Sequence, residues 1–129
     1  MRAEELKGHL DAVLLAALEG GPRHGYAVIE ALRQSTDGRL DLPTGTIYPA
    51  LRRLEQAGLI AGTWSVVGGR RRREYRLTPA GIRALSGRRA AWRDFSATVT
   101  AALASATRVN TALENAALED TACPSPNPA

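Results

Sequence analysis

The 129 residues carry 17 Lys and Arg against 13 Asp and Glu, a formal charge of +4 with a pI of about 10.0, which favours acidic partners. A chain of this size makes one domain of ordinary dimensions with a tail; 44% hydrophobic residues with one Phe, three Tyr and two Trp leave the packing to Leu, Ala, Ile and Val. The single cysteine, Cys123, excludes an intramolecular disulfide and a multi-cysteine metal site, and the N-terminal apolar stretch, broken by His9 and Asp11, is too short and polar for a signal peptide or membrane span, so a cytoplasmic protein is expected.

Asp11 to Leu18 is rich in Ala and Leu and reads as a helix closed by Gly20-Gly21-Pro22. A second helix is expected from about His24 to Gln34, with Tyr26, Ile29 and Leu32 at helical spacing, and Thr36-Asp37-Gly38 marks a turn. The third begins near Thr44 and ends at Gly58. Its Ile47, Leu51 and Leu54 recur at i, i+4 and i+7 and form one core-facing stripe. Pro49 is tolerable only near the first turn, which makes Thr46 the expected N-cap. With the stripe inward, Thr46, Tyr48, Arg52, Arg53 and Gln56 are left on or near the opposite side. Hydroxyls, an Arg pair and an amide suit phosphates and base edges. Arg52 is the expected base contact, with guanine the favoured partner of an Arg fork.

Leu59 to Val67 is β-branched and apolar enough for a strand, Gly68-Gly69 turns the chain, and Arg72 to Leu77 returns it. Between them stand four consecutive arginines, Arg70, Arg71, Arg72 and Arg73. Like charges side by side repel and add nothing to fold stability; a polyanion would supply the missing counter-charge. A Gly-tipped loop is expected to present them outward. Thr78 then caps a new helix with Pro79 at its first position. The expected fold is mainly α with a small β-hairpin: a winged helix-turn-helix over residues 1–78, its third helix in the major groove and its wing on backbone or minor groove.

From Pro79 to about residue 118 the chain reads as one long helix. Trp92, Phe95, Val99, Ala102, Ala106, Val109 and Leu113 alternate spacings of three and four, the rhythm of an apolar seam. The helix is expected to pair with a second copy of itself. The seam is thin in its middle, so Leu14 and Leu15 of the first helix are expected to help. Residues 119–129 lack apolar content and are expected to be disordered, leaving Cys123 a free thiol.

The two histidines, His9 and His24, are far apart, and no carboxylate pair, phosphate loop or metal-spaced cluster accompanies them. Catalysis, a metal and a cofactor are therefore not expected; His24, at a helix start, reads as a capping or packing residue. RNA is disfavoured because no aromatic platform for stacked bases is visible.

The stretches His24-Gly25-Tyr26, Pro43-Thr44-Gly45-Thr46-Ile47-Tyr48-Pro49-Ala50-Leu51-Arg52-Arg53-Leu54-Glu55 and Gly58-Leu59-Ile60 resemble the PadR family of bacterial transcriptional regulators. Gly68-Gly69-Arg70-Arg71-Arg72-Arg73-Glu74-Tyr75-Arg76-Leu77-Thr78 and Ala80-Gly81 continue the likeness, which covers about residues 8 to 95. The resemblance implies a homodimeric winged helix-turn-helix repressor on a palindromic operator. It implies DNA contacts from the Thr44, Gly45, Thr46 and Tyr48 region and from the basic wing, and dimerisation through the C-terminal helix. In some relatives flat aromatic compounds bind at the dimer centre; Trp92, Phe95 and Leu14 are the residues that could line such a pocket here.

Overall fold

The computed structural model describes Leu6 and residues 8–122, with side chains as far as Ser105. Its elements, in chain order, are α1 (Leu10–Ala17), β1 (Arg23–His24), α2 (Gly25–Ser35), α3 (Thr44–Gln56), β2 (Ile60–Val67), β3 (Arg70–Leu77) and α4 (Pro79–Ala122). Two compact units divide between Arg89 and Ala90. The first contains α1 to β3 and the opening turns of α4; the second contains the rest of α4.

In the first unit, short helices are held by what they bury rather than by their own propensity, because eight to thirteen residues are marginal as isolated helices. Leu14 and Leu15 of α1, Val28 of α2, Ile47, Leu51 and Leu54 of α3 and Ile60 of β2 are almost wholly enclosed. The Ile47–Leu51–Leu54 stripe therefore faces the core as expected, joined by Ala50. On α2 the inward residues are Val28, Ile29 and Leu32. Tyr26, expected in that stripe, is instead 56% exposed, because the core lies on the face of Val28 and Ile29.

Helix ends are closed by specific groups. The Ala17 carbonyl at the end of α1 accepts from Arg23 Nε at 2.8 Å, which compensates for one of the last carbonyls of the helix. His24 caps α2, its Nδ1 accepting from the Ala27 amide at 3.2 Å. Thr36 Oγ1 donates to Leu32 O and accepts from the Leu40 amide, securing the turn at Asp37 and Gly38, both with positive φ. Thr78 caps α4 through the Gly81 amide at 3.1 Å, with Pro79 as the first helical residue.

The start of α3 departs from expectation. Pro43 is the N-cap and its carbonyl accepts from the Thr46 and Ile47 amides, so Thr46 lies inside the first turn. Pro49 consequently sits in the helix interior, where it removes one bond to the Gly45 carbonyl. Gly45 is exposed, so water can take that carbonyl.

The sheet is antiparallel in the order β1-β3-β2. Ile60 pairs with Leu77 and the ladder runs outward to Val67 opposite Arg70. β1, too short to show an alternating pattern, pairs Arg23 with Tyr75 and His24 with Glu74. All four consecutive arginines belong to β3 instead of a loop, because the turn is confined to Gly68 and Gly69, both at positive φ.

Leu14 and Leu15, expected to help the seam, are both 0% exposed and belong to the hydrophobic core. In the second unit the Trp92 and Phe95 rings lie 5.8 Å apart, and Trp92, Phe95, Val99 and Leu103 are exposed, as is Ala102. The side chains of Ala106, Val109 and Leu113, and all of residues 123–129 with Cys123, lie outside the described residues. α4 itself runs to Ala122, past the expected end at 118.

One close approach makes a sharp test of this packing. A Cβ on Gly81 would collide with the Leu59 carbonyl oxygen, whereas one on Gly87 would meet nothing within 4 Å. Gly81→Ala is expected to destabilise the domain by about 3 kcal/mol. Gly87→Ala, in an exposed helical turn, is expected to stabilise it by about 0.5–1 kcal/mol. Urea denaturation of both variants checks the pair.

Candidate nucleic-acid interface

α3 and the β2–β3 hairpin both carry exposed cations. Arg52 and Arg53 lie on the outer face of α3, and Arg70, Arg71 and Arg72 are exposed along β3. These positions are set by the ladder and the helical stripe together: once Ile47, Leu51 and Leu54 turn inward, Tyr48 and Arg52 must turn out.

The hairpin is tied to α3 by Glu55. Its Oε2 pairs with Arg73 Nη2 and accepts from the Gly62 amide at 3.2 Å. Arg73 lies across β2 where Gly62 has no side chain; any Cβ there would strike its guanidinium. The hydrogen bond from Arg73 to Glu55 raises the arginine's pKa further above its ordinary value. Burial, then the nearby Glu55 charge, raises that of Tyr75 beside it. Arg73 thus braces the wing against α3.

A second close approach sets Tyr48. A Cβ on Gly25 would overlap the Tyr48 ring, so the absence of a side chain at the start of α2 lets the phenol lie against the backbone while the residue stays 41% exposed. This contact joins the His24-Gly25-Tyr26 segment to α3. Thr44 and Gly45 are exposed at the start of the helix and Thr46 is half-buried.

Arg53 is held differently from Arg52. Its Nη2 donates to Asp11 Oδ1 at 2.7 Å, and the other oxygen of Asp11 lies 4.0 Å from Arg88, so one carboxylate of α1 links α3 to the start of α4. Among the described residues Arg52, Arg70, Arg71 and Arg72 enter no ion pair. Of the ten residues expected at a DNA surface, eight are exposed and together border α3 and the wing; Thr46 and Arg73 are partly covered. Tyr26 and Trp64, 56% and 58% exposed, were not among those ten. No sequence period marks an outward aromatic as a site, so only the fold reveals them.

Among the described residues no three His, Cys, Asp or Glu side chains gather where they could hold a metal ion, and no helix is long and apolar enough to cross a membrane. Three helices, a short antiparallel sheet with a basic hairpin and a long C-terminal helix define a winged helix-turn-helix DNA-binding protein of the transcription-regulating class. Residues 14–87 match the model of the transcriptional regulator PadR-like family, and the chain belongs to that family. Over 64 residues it is 45% identical to Transcriptional regulator Rv3488 of Mycobacterium tuberculosis, half of this chain and 47% of that protein. A solved PadR family transcriptional regulator from Eggerthella lenta superposes with a TM-score of 0.68 at 34% identity, covering 78% of this chain and 86% of that one. A transcriptional regulator from Clostridium thermocellum gives 0.70 at 28% identity, covering 76% and 96%. Regulators of this family act by binding DNA and not by catalysis.

His24 offers a pH test of the scaffold beneath the interface. Burial, then the positive charge of Arg72, lowers its pKa from 6.5, while Glu74 opposes them weakly. The unfolded chain therefore binds this proton first, and the stability contributed by neutral His24 is lost as pH falls below about 6.5 toward the folded value. His24→Asn keeps a capping acceptor without the titration. Urea melts at pH 7 and pH 5 are expected to show a larger loss for wild type than for this variant.

Proposed function

We propose that this protein is a homodimeric cytoplasmic repressor that binds an inverted-repeat operator and is released by a small-molecule effector. The observation that carries the reading is the common border of α3 and the wing. Arg52 on the helix and Arg70, Arg71 and Arg72 on the hairpin are exposed and enter no ion pair among the described residues. Such a surface lacks counter-charges that duplex DNA supplies in a regular array.

In this mechanism the wing arginines dock on phosphates or in a narrow minor groove while α3 enters the major groove. Arg52 forks onto a guanine edge, and Thr46 and Tyr48 donate to phosphates and set the register. Two copies paired through Trp92, Phe95, Val99 and Ala102 would place their α3 helices one DNA turn apart, roughly 34 Å. Exposure of Trp92, Phe95 and Val99 supports that pairing, since water-exposed large apolar side chains on one helix gain most from a matching surface. A flat aromatic effector would contact Trp92 and Phe95 and release DNA by favouring the DNA-free geometry of the dimer.

The primary test is a fluorescence-anisotropy titration against DNA from upstream of the protein's own gene, beside a scrambled duplex, at two salt concentrations. Preference for the upstream DNA by about a hundredfold is expected, within the usual span of specific over non-specific binding. Equal binding that collapses with salt would instead describe an interaction module with only non-specific DNA affinity. For the dimer, Val99→Asp is expected to give monomers in sedimentation at concentrations where wild type is dimeric, because an apolar seam cannot solvate a carboxylate.

A further inference from the structure

Strand alternation divides the arginine run into two pairs. Trp64 stands opposite Arg73 and Val66 opposite Arg71, and this face continues inward to buried Ile60 and Tyr75. Arg70 and Arg72 fall on the reverse face, with Val67, Ser65 and Glu74. Four adjacent arginines in a strand cannot all meet one polyanion surface.

On the inner face, Trp64 is 58% exposed and lies beneath two guanidinium groups, Arg71 at 4.7 Å and Arg73 at 5.4 Å from the ring centroid. Arg73 is anchored to Glu55 of α3. Arg71, opposite an apolar Val66, enters no ion pair among the described residues. On the reverse face Glu74 accepts from Ser65 Oγ at 3.0 Å and puts a negative charge beside Arg72.

We propose that Trp64 and Arg71 form one phosphate-contacting element on the α3 side of the wing, anchored through Arg73, with Arg70 and Arg72 outside it. The proposal rests on the DNA-binding reading and specifies which face of the wing is used. Stacking on the indole holds the Arg71 guanidinium flat and leaves its N–H edges turned outward. An arginine already ordered in this way loses less freedom on binding than one free at a hairpin tip, and a guanidinium edge matches two phosphate oxygens. Trp64 is thus a positioning residue, acting on DNA through Arg71.

The test is a double-mutant cycle by anisotropy, over a range of salt concentrations, on the duplex that wild type prefers. Arg71→Ala is expected to weaken binding about fivefold or more and to lower the salt slope by about one, as loss of one phosphate contact does. Trp64→Ala is expected to weaken binding several-fold, and the double variant little more than Arg71→Ala alone. Trp64→Phe, which keeps a ring face, recovers part of the loss and guards against an unfolded alanine variant. Arg72→Ala is expected to weaken binding less than Arg71→Ala does, since Arg72 lies on the reverse face with Glu74. A greater loss from Arg70→Ala or Arg72→Ala than from Arg71→Ala would overturn the assignment. Additive losses from Trp64→Ala and Arg71→Ala would overturn it as well. Failure of the wild-type protein to bind any duplex is a distinct result, which removes the DNA-binding reading itself.

Discussion

The carboxylate of Glu55 determines how the two halves of the interface sit together. It projects from the last turn of α3 and takes both the Arg73 guanidinium and the Gly62 amide. The hairpin with four arginines in a row is also held by its ladder and by Ile60 and Tyr75 at its base. A half-buried pair with a backbone donor completing it is better ordered than an exposed ion pair between long side chains. Gly62 is required by the same arrangement, since the guanidinium occupies the place of a side chain.

A similar economy of space governs α3 and the start of α4. Gly25 admits the Tyr48 ring against the backbone of α2, and Gly81 admits the Leu59 carbonyl against the first turn of α4. These contacts set the angles at which the outer face of α3 and the base of the hairpin are presented. Asp11 adds an electrostatic tie from α1 to Arg53 and Arg88. The bidentate pair between Arg89 and Glu19 lowers the pKa of Glu19 and raises that of Arg89. Such exposed pairs add little stability singly, but they determine which arginines remain available to an external anion.

The availability of cations is therefore patterned. Arg53 and Arg73 are occupied by acids of the same unit, while Arg52, Arg70, Arg71 and Arg72 enter no ion pair among the described residues. Net charge alone would not distinguish the two groups, because all six are arginines close together in the chain. In the second unit Trp92, Phe95, Val99 and Leu103 leave apolar area exposed to water.

By itself the sequence determined the helix order, the hairpin and the inward stripe of α3. Each rests on a short-range rule: the period of Ile47, Leu51 and Leu54, the Gly68-Gly69 turn, and the Thr78-Pro79 cap. The motifs around Tyr48 and Arg70 also carry the family likeness. Tertiary structure decided the rest. That Leu14 and Leu15 belong to the core, that Tyr26 stays outside it, and that Arg73 braces while Arg71 stacks all depend on partners distant in sequence. The strand β1, two residues long, exists only because Tyr75 and Glu74 lie beside it. Local periodicity states which way a side chain turns; what it meets there is set by packing between elements.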